Sequence, residues 1–159
     1  MNKEKIAYRL KEMIVVAAIC GFLLYMIVFP ILGLCAEYEY PAMRCYYAAW
    51  LFFLWLSGVP CYVVLLQGWE IANHIKNGKA FSAETAKNLK IASWFTLGDS
   101  LFFLVGNVYY LNKGASFLIV AGISLFVVFG GILIAGAFEI LSILVKKAAE
   151  LQEQYNLTI

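Results

Sequence analysis

Charge is scarce in this chain of 159 residues: Asp, Glu, Lys and Arg together make up 14%, against about 25% in an ordinary soluble domain. With 64% of residues apolar and a mean hydropathy of +0.82, there is too little polar surface to coat a water-facing globule, so the chain is a membrane protein. Three prolines and 16% aromatics exclude collagenous and disordered classes. The single histidine, His74, has no His or Cys partner nearby, which argues against a metal site. No nucleophile–base pair or phosphate-cradling glycine loop is visible, so neither catalysis nor a cofactor is expected. A formal charge of +2 is too small to suggest direct nucleic-acid binding.

What is present is long apolar runs. A hydrocarbon core about 30 Å thick needs roughly 20 helical residues to cross it, and four segments qualify: 13–34, 46–68, 91–111 and 116–145. None contains Lys or Arg inside the crossing, and a bilayer leaves an unpaired backbone only the helix or the closed barrel. The expected fold is therefore all-α, one integral-membrane four-helix bundle spanning residues 1–159. The first span is longer than a secretory h-region and ends without a small-x-small pattern, so it is read as retained.

The cations are lopsided. Lys3, Lys5, Arg9, Lys11, Lys76, Lys79, Lys87, Lys90, Lys146 and Lys147 fall on one side of the four spans, and only Arg44 and Lys113 on the other. The positive-inside bias then places both termini, the loop 69–90 and the tail 146–159 in the cytoplasm.

Between spans one and two, Cys35 and Cys45 flank a short outer loop among Tyr38, Tyr40, Tyr46, Tyr47 and Trp50. The rings suit an interfacial aromatic belt. Outside the cytoplasm the two cysteines could pair and staple the spans, or remain two thiols. A quinone-linked thiol oxidoreductase would need a reactive outer Cys-x-x-Cys, which the chain lacks.

Inside the spans, Asp99 lies about 13 Å from the inner end of span three and Glu139 about 10 Å from that of span four, at 1.5 Å per residue. Thr96 and Ser100 neighbour the first and Ser142 the second, so these five residues form a candidate polar patch. Intramembrane carboxylates point to a proton or cation site; equally, protonated acids with Ser and Thr can simply join helices. Small residues at four-residue spacing, Ala17 with Gly21 and Gly131 with Ala135, mark faces where helices could touch, as subunits of a homo-oligomer also could. Pro30 and Pro60 are expected to kink spans one and two.

The middle loop carries the clearest local signals. Span two should continue as a helix to Asn77-Gly78, with glycine supplying a left-handed stop. Ser82 reads as the N-cap of a helix that carries Glu84 in its first turn and flows into span three. Lys87 and Lys90 fit the headgroup zone, where anionic lipid attracts cations. The tail prolongs span four, with Leu157 and Ile159 as apolar docking residues.

The loop residues Gly78, Phe81, Ser82, Glu84, Leu89 and Ile91, together with the closing Leu157-Thr158-Ile159, resemble an uncharacterised bacterial four-span family, domain of unknown function 2975. Thr85 departs from that pattern, which usually has Asn there. The resemblance implies a bacterial inner-membrane protein, commonly encoded beside a small helix-turn-helix transcription regulator, and implies no catalytic activity. It suggests a regulatory or sensing module that binds a cytoplasmic partner through Phe81, Ser82, Glu84, Lys87, Lys90, Leu157 and Ile159. The alternative is a small ion- or proton-coupled transporter component using Asp99 and Glu139.

Overall fold

The computed structural model describes residues 3–39, 44–113 and 118–157, without the side chains of residues 36, 39, 118–121, 156 and 157. Every element is helical: α1 (Lys3–Leu23), a π turn (Leu24–Val28), α2 (Phe29–Glu39), α3 (Tyr47–Lys76), α4 (Ala83–Asn112) and α5 (Leu118–Leu157). The α1–π–α2 run is one continuous rod, so the described residues hold four helices long and apolar enough to cross a membrane. They overlie the expected spans, except that α3 starts one residue later, at Tyr47, and that residues 116 and 117 of the last span lie outside the described residues; at the basic end they run past the spans, because polar residues outside the hydrocarbon need no bilayer to remain helical. At 1.5 Å per residue α5 is about 60 Å long, roughly twice the thickness of the apolar core.

The α3–α4 turn forms as its sequence dictates. Asn77 ends α3 and Gly78 follows at φ 75°, the one positive φ among the described residues. Gly78 N–H bonds the Ile75 carbonyl at 3.1 Å and Lys79 N–H bonds the His74 carbonyl at 2.9 Å, satisfying the orphan acceptors of the helix end. Ser82, extended at φ −124° and ψ 158°, then accepts the Thr85 N–H on its side-chain oxygen at 3.2 Å and starts α4.

Packing is serial. Among the described residues the first rod touches only α3, α3 touches the rod and α4, and α5 touches only α4. The helices thus form an open layer, and the expected bundle does not close. The physical reason is that lipid solvates an apolar helix face as well as another helix does, so nothing drives the last pair together for burial alone.

The α4–α5 seam is the most extensive contact. Ala86, Leu89, Ser93, Thr96 and Ser100 recur at three- and four-residue steps on α4, as do Ser124, Val128, Gly131 and Ala135 on α5, with Ser142 two turns beyond on the same face. Mostly small residues bring the two backbones close enough for side-chain hydroxyls to cross. Ser93 donates to the Ala135 carbonyl at 2.8 Å, Ser142 to the Ala86 carbonyl at 2.7 Å and Ser124 to Asn107 Oδ1 at 2.9 Å. Gly131 lies directly against Ser100 Oγ.

At the opposite end, the rings expected as an interfacial belt are partly structural. Tyr46, Trp50 and Phe53 pack on buried Tyr110, and Phe53 also meets Phe102 at 4.9 Å and Phe103 at 5.7 Å between ring centres. Tyr38, by contrast, is fully exposed, and Tyr40 lies outside the described residues.

The prolines act differently from one another. Pro30 cannot donate to the Met26 carbonyl four residues before it and its ring crowds that group; the wide turn at 24–28 lies directly upstream and takes up the mismatch. Pro60 sits inside α3 without breaking it.

Candidate functional site

Two places concentrate polar chemistry: a groove at the basic end of the layer, and a cluster in the interior beside Asp99.

The basic end gathers the start of α1, the α3–α4 turn and the last turns of α5. Its turn is held rigid by Thr85, a buried side chain whose hydroxyl donates to the Lys79 carbonyl at 3.3 Å and lies 3.1 Å from both Ser82 Oγ and His74 Nδ1. His74 is half-buried and fastens the end of α3 to the start of α4. The only sign of this in the sequence was that the histidine precedes the helix stop by one turn and the hydroxyl follows the N-cap by three residues.

With its turn fixed, the chain projects Phe81 outward, 60% exposed. Phe81 and Ser82, with Gly78, Lys79 and Ala83, form one wall of an open groove of about 620 Å³. Lys146, Ala149, Glu150, Gln152 and Glu153 of α5 form the other. Lys146 and Glu150 approach at 3.9 Å one helical turn apart, both largely exposed, a pairing worth little in itself. Of the expected docking residues, Phe81 and Ser82 line this groove. Glu84, Lys87 and Lys90 are exposed on α4 but outside the lining. The Leu157 side chain and Ile159 lie outside the described residues. The α5 wall belongs to the tail 146–159 expected in the cytoplasm, but its nearness to Phe81 joins positions some 65 residues apart and has no local signal in the sequence.

In the interior, the five polar residues expected as one patch divide. Ser142 lies on the α4–α5 seam, as do Thr96 and Ser100, which bond back along α4 to the Ala92 and Thr96 carbonyls, each at 2.8 Å. Asp99 is turned about 100° from Ser100 around the helix and faces α3. Its Oδ2 accepts the Cys61 thiol at 3.7 Å, and Ser57 lies beside the same carboxyl. Tyr25, from the π turn, packs on Gly58 with its hydroxyl beside Ser57 and Cys61. Asp99 Oδ1 is buried and has no hydrogen-bond partner among the described residues. Glu139 makes no hydrogen bond or ion pair among them either, and nothing joins it to Asp99. The two acids share neither a face nor a level: the Ser93–Ala135 and Ser142–Ala86 bonds set Glu139 opposite Leu89, about 15 Å along α4 from Asp99.

All four cysteines are free, and Cys35 and Cys45 are exposed thiols. The disulfide that their spacing allowed is not formed. The ends of the first two spans are joined instead by the Arg44–Glu37 ion pair at 3.3 Å and by the Tyr47 hydroxyl donating to the Pro30 carbonyl at 3.4 Å. No group of three or more His, Cys, Asp or Glu among the described residues is placed to hold a metal.

The chain is similar to the uncharacterized membrane protein YoaS of Bacillus subtilis (strain 168), at 29% identity over 111 residues, 67% of this chain and 68% of that protein. No solved structure matches it. Residues 34–159 match the family model described as a protein of unknown function (DUF2975), and the chain, a membrane protein with four apolar helices, belongs to that family.

Proposed function

We propose that this chain is a non-enzymatic, regulatory module of a bacterial cytoplasmic membrane, with its basic end inside the cell and a soluble protein held in the groove between residues 78–83 and 146–153. The single observation that carries this reading is Phe81. A large apolar side chain held outward by a rigid turn, in a groove rimmed by Lys79, Lys146, Glu150 and Glu153, suits a helical segment with one apolar anchor flanked by charges. The ten-to-two distribution of cations supports the orientation. A membrane-facing residue would not need such a charged rim.

The partner of choice is a small helix-turn-helix transcription regulator, retained at the membrane and released when the helices repack. The opposed charges along the rim would fix its register.

The test is co-purification of the tagged full-length protein with that regulator from native membranes in mild detergent. The regulator should be recovered with the wild type, lost with Phe81→Glu, and lost again with Glu150→Lys/Glu153→Lys. Equal recovery with all three proteins would remove the groove as the interface, and no recovery with the wild type would remove the reading.

A further inference from the structure

We propose that Asp99, Ser57 and Tyr25 form an intramembrane binding site for one monovalent cation, a proton or an alkali-metal ion. The proposal is independent of the partner-binding groove. It begins with the orphaned oxygen. Buried polar atoms are satisfied in nearly all native interiors, and leaving one oxygen of a carboxylate bare within an apolar layer is among the costlier arrangements a protein can hold. Asp99 Oδ1 is in that position, while Oδ2 accepts the weak thiol donor of Cys61 and the Ser57 hydroxyl lies beside the carboxyl.

The surroundings are built from three helices. α4 supplies the carboxyl. α3 supplies Ser57, 4% exposed, and Cys61, one turn later on the same face. The first rod supplies Tyr25 from the π turn, and such turns recur at functional sites because the extra residue re-aims side chains. Tyr25 is held from both sides: its carbonyl accepts the Trp55 indole N–H at 3.1 Å, and the absence of a side chain on Gly58 lets its ring approach α3. A hydroxyl held this firmly beside Ser57 and Cys61, the two neighbours of the carboxyl, serves a ligand better than it serves packing.

Charge fixes the valence. The titratable groups that face Asp99 are Cys61 of α3 and Tyr25 of the π turn; among the described residues α5 contributes none, and no Lys, Arg or His reaches it. One carboxylate neutralises one positive charge. A divalent ion would remain half-compensated at a depth where that is prohibitive, and three-ligand clusters for such an ion are lacking among the described residues. Oδ1, the Ser57 hydroxyl and the Tyr25 hydroxyl are hard oxygen donors, suited to a proton or an alkali ion more than to a soft metal.

The experiment uses the full-length protein in lipid nanodiscs at constant ionic strength. One arm follows thermal unfolding with sodium, potassium or the bulky cation N-methyl-D-glucamine as the only cation. The other records infrared difference spectra on a pH step. Saturable stabilisation by sodium or potassium over the bulky cation, abolished by Asp99→Asn and weakened about tenfold in affinity by Ser57→Ala, identifies an alkali ion. A carboxyl band that titrates in the wild type, is missing in Asp99→Asn and shifts in Tyr25→Phe identifies a proton. If Asp99→Asn retains its helix content and matches the wild type in both arms, the site does not exist. Should Asp99→Asn fail to fold, Ser57→Ala and Tyr25→Phe carry the test, and wild-type behaviour of both overturns the proposal.

Discussion

Adding one methyl group at Gly131 should loosen the α4–α5 seam, and removing one oxygen at Ser100 should restore it. A Cβ built on Gly131 falls on Ser100 Oγ, whereas the next atom, Ser100 Cβ, stands at 3.4 Å, an ordinary contact. Gly131→Ala therefore leaves two escapes. If Ser100 keeps its rotamer, the helices separate, at about 1–3 kcal/mol for overpacking. If the hydroxyl swings away, it gives up its 2.8 Å bond to the Thr96 carbonyl, about 0.6 kcal/mol in a membrane interior. The usual gain of alanine over glycine in a helix is small here, because separated helices in a bilayer remain helical. Ser100→Ala alone should cost almost nothing, since the bond it removes lies within α4 and does not join the helices. The double variant should then be close to the wild type, with a coupling free energy of about −1 kcal/mol. Denaturant titration of the protein in bicelles measures all four corners of the cycle. Additive effects, or a Gly131→Ala protein as stable as the wild type, would refute the close approach of Gly131 to Ser100.

Two further outcomes follow from the geometry. In intact cells, Cys35 and Cys45, free and exposed, should react with a membrane-impermeant maleimide, while a cysteine replacing Lys79 should react only after permeabilisation; the reverse pattern would invert the topology. Thr85→Val keeps the side-chain volume but removes the hydroxyl shared by His74, Ser82 and the Lys79 carbonyl. It should destabilise the turn by about 1–3 kcal/mol, read as faster amide exchange confined to residues 77–82; unchanged exchange would mean that the turn is held by its caps alone.

The open layer gives these features different neighbours. The groove belongs to α5 and the α3–α4 turn, and the Asp99 cluster belongs to the first rod, α3 and α4. The common element is α4, which starts at Ser82 on the wall of the groove and carries Asp99 five turns further along. A rigid-body shift of α4 on α3 would alter both places, while the tight small-residue seam makes α5 travel with α4. The first rod, touching α3 alone, is the helix least committed to the rest.

What could be read in the sequence divides by how many bodies a property involves. The spans, the stop at Gly78 and the cap at Ser82 each depend on one stretch of chain and its solvent, and residues 77–83 announce them through glycine, a hydroxyl and an acid in the right order. Depth is local only while it is counted along one helix; between helices it depends on their register, and the α4–α5 bonds place Asp99 and Glu139 at different levels. Rotation is not local. Asp99 and Ser100 are adjacent in sequence, yet one faces α3 and the other α5, and in a soluble helix a polar face would have said which is which. Here both the lipid-facing and the helix-facing sides are apolar, so the periodicity that orients a soluble helix is erased. The surviving signal is size: Ala86, Ser93 and Ser100 at seven-residue steps, opposite Gly131, Ala135 and Ser142, mark the seam without any contrast in hydropathy. Asp99, one position off that register, is thereby excluded from the seam, so the small-residue spacing alone turns the carboxyl away from α5.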